Sequence, residues 1–159
     1  MYWDYFKYTI KHKWYVFNFC IRKGMFIHAF THDLSKFLPS EFIPYAKHFY
    51  GKEENDIPFR IAVLKHYHRN KHHFAYWIGT DGKTYSMPRR YVKQMIADWQ
   101  AMSYAKLVKD YPNLQYNYNL VLSNTIDFYK QLDQRNFSPQ TRYYIKKYLG
   151  ILGEDDETS

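Results

Sequence analysis

The 159-residue sequence predicts an all-α protein, a compact single-domain bundle of about six or seven helices. Apolar residues recur at helical spacing in nearly every segment, and no run alternates apolar and polar residues long enough to demand a sheet. Gly24, Pro39, Pro58, Pro88 and Pro139 fall where such segments begin or end. No Gly-, Ser- or Pro-rich linker breaks the composition, so one domain is expected over 1–150. The acidic tail 151–159 is expected to be disordered.

The first helix is expected over about Tyr2 to Arg22. A 100° wheel gathers Phe6, Ile10, Trp14, Phe17 and Ile21 on one face and Lys7, Lys11, Asn18 and Arg22 on a narrow polar stripe. His12 falls on a third arc with Tyr5, Tyr8, Tyr15 and Phe19, which predicts a helix buried on two sides with His12 pointing inward. Gly24 permits the turn into a second helix, the apolar stretch from Met25 to Phe37 that contains His32-Asp33-Leu34-Ser35-Lys36. Pro39-Ser40-Glu41 opens a third helix through Tyr50, and Gly51 to Asp56 reads as a loop. A helix over about Pro58 to Asn70 ends in a histidine cluster. Asp81-Gly82 marks a tight turn, compatible with a short hairpin from Trp77 to Tyr85, and Pro88 begins a long helix through about Lys109. Helices over roughly Tyr118 to Gln134 and Ser138 to Leu149 complete the count, the last with Ser138 as N-cap and Pro139 at its first position.

The formal charge of +8 is uneven: Glu154, Asp155, Asp156 and Glu157 lie in the tail, so 23 basic and 11 acidic residues leave +12 over 1–150. Such a field suits phosphate-bearing ligands or nucleic acid, and equally a solvated lysine-rich surface. Cys20 is the single cysteine, which excludes a disulfide framework and a thiolate zinc site and fits a reducing compartment. No stretch reaches the roughly 18 uninterrupted apolar residues of a spanning helix, and Asp4, Lys7, Lys11 and Lys13 do not suit an ordinary signal peptide. A cytoplasmic location is expected.

The residues with chemical potential are unevenly spread. Half of the eight histidines crowd into His66 to His73. A buried carboxylate such as Asp33 costs several kcal/mol or more unless its charge is compensated. A metal ion would do so. His12, His32, Asp33, some of His66, His72 and His73, and Asp98 would converge from four helices, as in two-metal sites built in bundle cores. Imidazole mixed with carboxylate suits Mn, Fe, Zn, Ni or Co rather than an all-protein Mg or Ca site. Lys36, three residues after Asp33, would stand beside the ion as a phosphate-sized point charge. Asn70 and Lys71 could contact substrate or support the ligands, or simply cap a helix and carry a solvated charge. For Asp33 the alternatives are an N-cap or a buried pair with Lys36 or an arginine. His12 could be a hydrogen-bonded core histidine, and either His66 or His68 could face the core. Asp98 falls on the border of the arc made by Tyr91, Met95, Trp99 and Met102, where surface carboxylates are common. His28 and His48 read as structural, although His28 precedes His32 by one turn and could be an extra ligand.

The order His12, His32-Asp33 with Lys36, His66, His72-His73 and Asp98 resembles the HD-domain metal-dependent phosphohydrolases. HDLSK stands where those proteins often read His-Asp-(apolar)-Gly-Lys, the histidines at 72 and 73 resemble the paired histidines of the HD-GYP branch, and MIADWQAM resembles the helix supplying the last aspartate. Ser35 replaces the usual glycine, the GYP element has no counterpart, and His66 stands only six residues before His72. More closely, HKWYVF, HDLSKFLPSEFIPY, NKHHFAYW, YVKQMIADW and SPQTRYYIKKYL resemble a small phage and bacterial family without an assigned reaction, which would place the protein in a host cytoplasm if phage-encoded. The superfamily resemblance implies one ion on His12, His32, Asp33 and Asp98, and a second on His66, His72 and His73 bridged by Asp33. Lys36 would hold substrate phosphate. The expected activity is hydrolysis of a nucleotide or other small phosphorylated substrate at a mono- or dinuclear centre, with Asp33 and Lys36 catalytic. Two alternatives use the same residues: a diiron oxygenase on this scaffold, and a basic nucleic-acid-binding protein with a structural metal. The Trp- and Lys-rich first helix could also lie on an anionic membrane, but two buried faces would argue against it.

Overall fold

A computed structural model describes residues 1–52 and 54–153. Seven α-helices follow one another among these residues: α1 (Tyr2–Arg22), α2 (Phe26–Thr31), α3 (Pro39–Tyr50), α4 (Ile57–Arg69), α5 (Arg89–Asp110), α6 (Tyr118–Gln131) and α7 (Pro139–Leu149). Short 3-10 turns cover Leu34–Phe37, Phe74–Trp77 and Gln134–Asn136. The all-α expectation holds, with one isolated antiparallel bridge, Ile78 to Thr84, in the short hairpin-like turn. The acidic tail from Glu154 lies outside the described residues. Contacts gather the chain into two compact units, Met1–Lys71 and a second beginning at His72. The division falls inside the histidine-rich segment, where no linker composition marks it.

In the first unit, α1 packs against α2 and α3, and α3 against α4. Gly24 ends α1 at φ +71°, a left-handed conformation that glycine adopts without a Cβ penalty, and the Met25 amide returns to the Cys20 carbonyl at 2.9 Å. Only one face of α1 is buried, formed by Tyr5, Thr9, His12, Val16, Phe19 and Cys20. The arc carrying His12 therefore points inward as expected, but the second face does not: Trp3, Ile10 and Trp14 are exposed. The reason is geometric: the covering elements reach only Phe6 and Phe17 of that arc, through Phe37 and Phe30, and leave Trp3, Ile10 and Trp14 open.

The helix expected from Met25 to Phe37 is broken. α2 stops at Thr31, His32 is extended, and Asp33 sits at φ +52°, the one non-glycine residue with positive φ among those described. A 3-10 turn then carries Ser35 and Lys36. Asp is one of the few residues whose short polar side chain tolerates this left-handed region. Lys13 holds the break from α1, its Nζ donating to the carbonyls of Phe30 (2.6 Å) and His32 (2.9 Å). Burial weakens the Lys13 charge and pushes its pKa down, while nearby Asp33 opposes that shift.

The second unit is organised on α5, which packs against α6 and α7. Its core comprises Met87, Val92, Met95, Ile96, Trp99, Tyr129, Phe137, Ile145 and Leu149. α6 ends at Gln131 rather than Gln134: Asp133 Oδ1 accepts from the Arg135 backbone amide, starting a new turn, and Gln134 Nε2 donates to the Tyr129 and Leu132 carbonyls. α7 begins where Pro139 predicts. The Ser138 hydroxyl accepts from the Thr141 amide at 3.2 Å, and Thr141 Oγ1 accepts from the Met87 amide at 2.9 Å. Ser138→Ala is expected to lower stability by about 1–2 kcal/mol through loss of this buried cap, measurable by urea unfolding with an unchanged m-value.

Candidate metal centre

The break between α2 and the 3-10 turn directs both His32 and Asp33 inward, leaving them 1% and 2% exposed. In the first unit three imidazoles from separate places in the sequence face the Asp33 carboxylate. His12 Nε2 of α1 lies 3.9 Å and His32 Nε2 3.4 Å from Oδ2, and His66 Nε2 of α4 lies 3.5 Å from Oδ1. These separations exceed an N–H···O hydrogen bond of about 2.9 Å. They are close to the spacing of atoms sharing one ion, since ligands about 2.1 Å from a common centre stand roughly 3.0–3.4 Å apart at octahedral to tetrahedral angles. Lys36 Nζ also reaches Oδ2, at 2.6 Å, so the buried pair weighed for Asp33 is present.

A second layer fixes His66. Glu41, on α3 and fully buried, accepts from His66 Nδ1 at 2.9 Å, from Ser35 Oγ at 2.9 Å and from Arg69 at 2.7 Å. Burial would raise the Glu41 pKa, but the hydrogen bonds from His66, Arg69 and Ser35 outweigh it and hold the carboxyl below its ordinary value. An ionised carboxylate only accepts, so Nδ1 carries the proton, and in the neutral imidazole Nε2 presents its lone pair toward Asp33. A lone pair facing a carboxylate at 3.5 Å in a buried site calls for a cation between them, a proton or a metal ion. The donor set, three imidazole nitrogens and a carboxylate, fits a borderline transition ion.

His28, read as structural, is buried with its Nε2 3.3 Å from His32 Nδ1, so one of these two nitrogens donates to the other. His28 thus orients His32 as Glu41 orients His66. His66 is buried and His68 exposed, which decides the choice that periodicity left open. Asn70 turns back on its own unit, Nδ2 donating to Ser35 Oγ (2.8 Å) and the His66 carbonyl (2.8 Å), the supporting role rather than the substrate contact. Lys71 is exposed, and His48 stacks on Phe59 with Nδ1 3.0 Å from Asp56, as a structural histidine does. Glu41 escaped the sequence reading, where it looked like an ordinary acid in the first turn of a helix. The available signal was a single acid immediately before the apolar run Phe42 to Ala46, with Ser35 and Arg69 at distances only tertiary structure reveals.

In the second unit, His72 is buried beside half-buried His73, with ring centroids 4.3 Å apart. Asp98 is buried too, and so is every residue from Met95 to Ala101, so it is not the surface carboxylate that a border position allows. The α5 segment is enclosed all round, so no border exists there. Back in the first unit, Tyr5 and Tyr45 stack at 6.0 Å. Burial pushes the Tyr5 phenol up to about 12 and the Tyr45 phenol upward as well, while the charge of Lys36 opposes both shifts. Both hydroxyls therefore keep their protons at neutral pH.

Residues 1–151 match the DUF5662 family, a family of unknown function. No curated protein and no solved structure matches the chain.

Glu41→Gln is expected to cost about 2 kcal/mol near neutral pH by weakening three hydrogen bonds to a charged acceptor. Because the folded pKa of Glu41 lies below its ordinary 4.5, its contribution is present above that value and lost as pH falls through the folded pKa. Denaturant unfolding of both proteins across acid pH should show the gap closing on acidification.

Proposed function

Because the chain belongs to the DUF5662 family, to which no reaction is assigned, we propose its function from its own residues: a metal-dependent phosphohydrolase acting on a nucleotide or other small phosphorylated substrate. The observation that carries this reading is the convergence of His12, His32 and His66 on the Asp33 carboxylate, at 3.4–3.9 Å, with Lys36 at the same group. The motif order resembling the HD-domain hydrolases supports it. That order, read from the sequence, adds Asp98, His72 and His73 to the proposed ligands, for one or two ions of Mn, Fe, Zn, Ni or Co. When bound, such an ion supplies Lewis acidity toward a phosphoryl oxygen and lowers the pKa of a coordinated water to about 7.

The chain's own groups supply the rest. Asp33 contributes the buried negative charge that selects a cation, and Glu41 and His28 hold His66 and His32 in orientation. Lys36 is the side-chain cation of the site, sixteen per cent exposed, and would pair with a phosphoryl oxygen. Tyr5 and Tyr45, protonated at neutral pH, offer neutral donors beside it. The basic surface draws anionic substrates toward the protein.

Two measurements test this. Elemental analysis of protein purified without chelator or histidine tag should find one or two equivalents of a first-row transition metal, lost in Asp33→Ala. Nucleotide hydrolysis with that metal should fall by about a thousandfold or more in Asp33→Ala, equivalent to several kcal/mol of transition-state stabilisation. Absence of metal from both proteins after incubation with these ions would overturn the reading, and metal-dependent oxygen consumption without phosphate release would replace it with the oxygenase.

A further inference from the structure

The apolar face that α1 turns away from its own core continues onto α2. Trp3 and Trp14 are 66% and 60% exposed, Ile27 and Phe30 82% and 64%, and Ile10, Phe26 and Leu34 are exposed as well. Ring contacts carry the surface from one helix to the other: Trp14 stacks on Phe17 at 5.7 Å, and Phe17 meets Phe30 edge-on at 5.2 Å. Side chains scattered singly need no explanation, but a contiguous patch of this kind marks a contact surface. On α1 the exposed cations Lys7, Lys11 and Arg22 run alongside the patch, Lys7 also pairing with Asp4 at 3.2 Å.

We propose that this face of α1 and α2 docks on an anionic lipid bilayer. The two tryptophans, about 16 Å apart along the helix axis, would sit at the level of the headgroups, where an indole places its ring in the apolar phase and its N–H in the polar one. Ile10, Ile27 and Phe30 supply apolar area to enter the acyl boundary. The adjoining cations would face lipid phosphates and add electrostatic attraction to a negative surface. Charge complementarity selects this occupant over the others. A second copy meeting this face with its own would present the same apolar residues and the same cations, with no acidic side chain among Trp3, Ile10, Trp14, Ile27 and Phe30 to answer Lys11 and Arg22. Single-stranded nucleic acid would match the cations, but Ile10, Ile27 and Leu34 have no π-face on which a base can stack. No described helix is long and apolar enough to cross a membrane, so the contact is one of surface docking.

The test is flotation of the full chain with phosphatidylcholine vesicles and with vesicles that also contain phosphatidylglycerol, with light scattering on the same samples without lipid. The expected result is recruitment to the phosphatidylglycerol vesicles that weakens with added salt, blue-shifted tryptophan emission, and at least about tenfold weaker partitioning for Trp14→Ser/Ile27→Ser. Both substituted positions are exposed, so far-UV circular dichroism and metal content should match the parent, which keeps this result separate from the phosphohydrolase reading. Failure to float with anionic vesicles overturns the proposal, as does equal flotation of the double variant. A parent dimer that the double variant abolishes, without lipid binding, assigns the face to a second copy instead.

Discussion

The first unit depends on how one buried negative charge is held. Asp33 is 2% exposed, and a carboxylate taken that far from water costs several kcal/mol unless cations or donors surround it. The backbone gives up helical geometry to place it. His32 becomes extended and Asp33 left-handed, a conformation costing of order 1–3 kcal/mol for a non-glycine residue. The carbonyls released by the break do not go unpaired, because Lys13 of α1 takes two of them. The same break explains why His32 and Asp33, adjacent in sequence, can both face inward, which a continuous helix with its 100° step would not allow so closely.

Around that charge the structure is layered. Three imidazoles face Asp33, and behind them Glu41 holds the proton on His66 Nδ1 while His28 hydrogen-bonds His32. Glu41 is itself neutralised by Arg69 and joined to Ser35, the residue standing where the resemblance would place a glycine. Ser35 Oγ also accepts from Asn70, at the end of α4. The serine is thereby a link between the 3-10 turn, α3 and α4, and its hydroxyl has a structural use that glycine could not supply.

Much of this was legible in the sequence. Apart from the broken second helix, periodicity and the Pro and Gly signals place the helices to within a few residues, and Ser138 and Gly24 cap the helix ends expected of them. His12, His32, Asp33 and Lys36 could be read together because a charged cluster in an apolar run demands compensation wherever it folds. What could not be read was decided by distant partners. Lys13 stabilises the break at Asp33 across 19 residues of sequence, and Glu41 meets His66 across 25, so no local window contains either cause. The wheel of α1 correctly placed His12 inward but treated apolar character as proof of burial. Trp3, Ile10 and Trp14 show that an apolar stripe states only that some apolar partner is compatible with it.

Lys36 joins the structural account to the chemical one. Its ammonium lies 2.6 Å from Asp33 Oδ2, the same oxygen that faces His12 and His32. A cation held by those three groups would compete directly with Lys36 for that oxygen. Two unit positive charges about 4 Å apart repel by roughly 4 kcal/mol at an effective dielectric of 20, more than the worth of an ordinary hydrogen bond. Loading the site would therefore loosen Lys36 from Asp33 and leave its charge uncompensated near the two protonated phenols. An anionic substrate is the group that would restore the balance. Under the proposed function, the Lys36–Asp33 ion pair would be the metal-free arrangement, and substrate affinity would rise with metal loading because a cation at Oδ2 weakens the hold of that oxygen on Lys36.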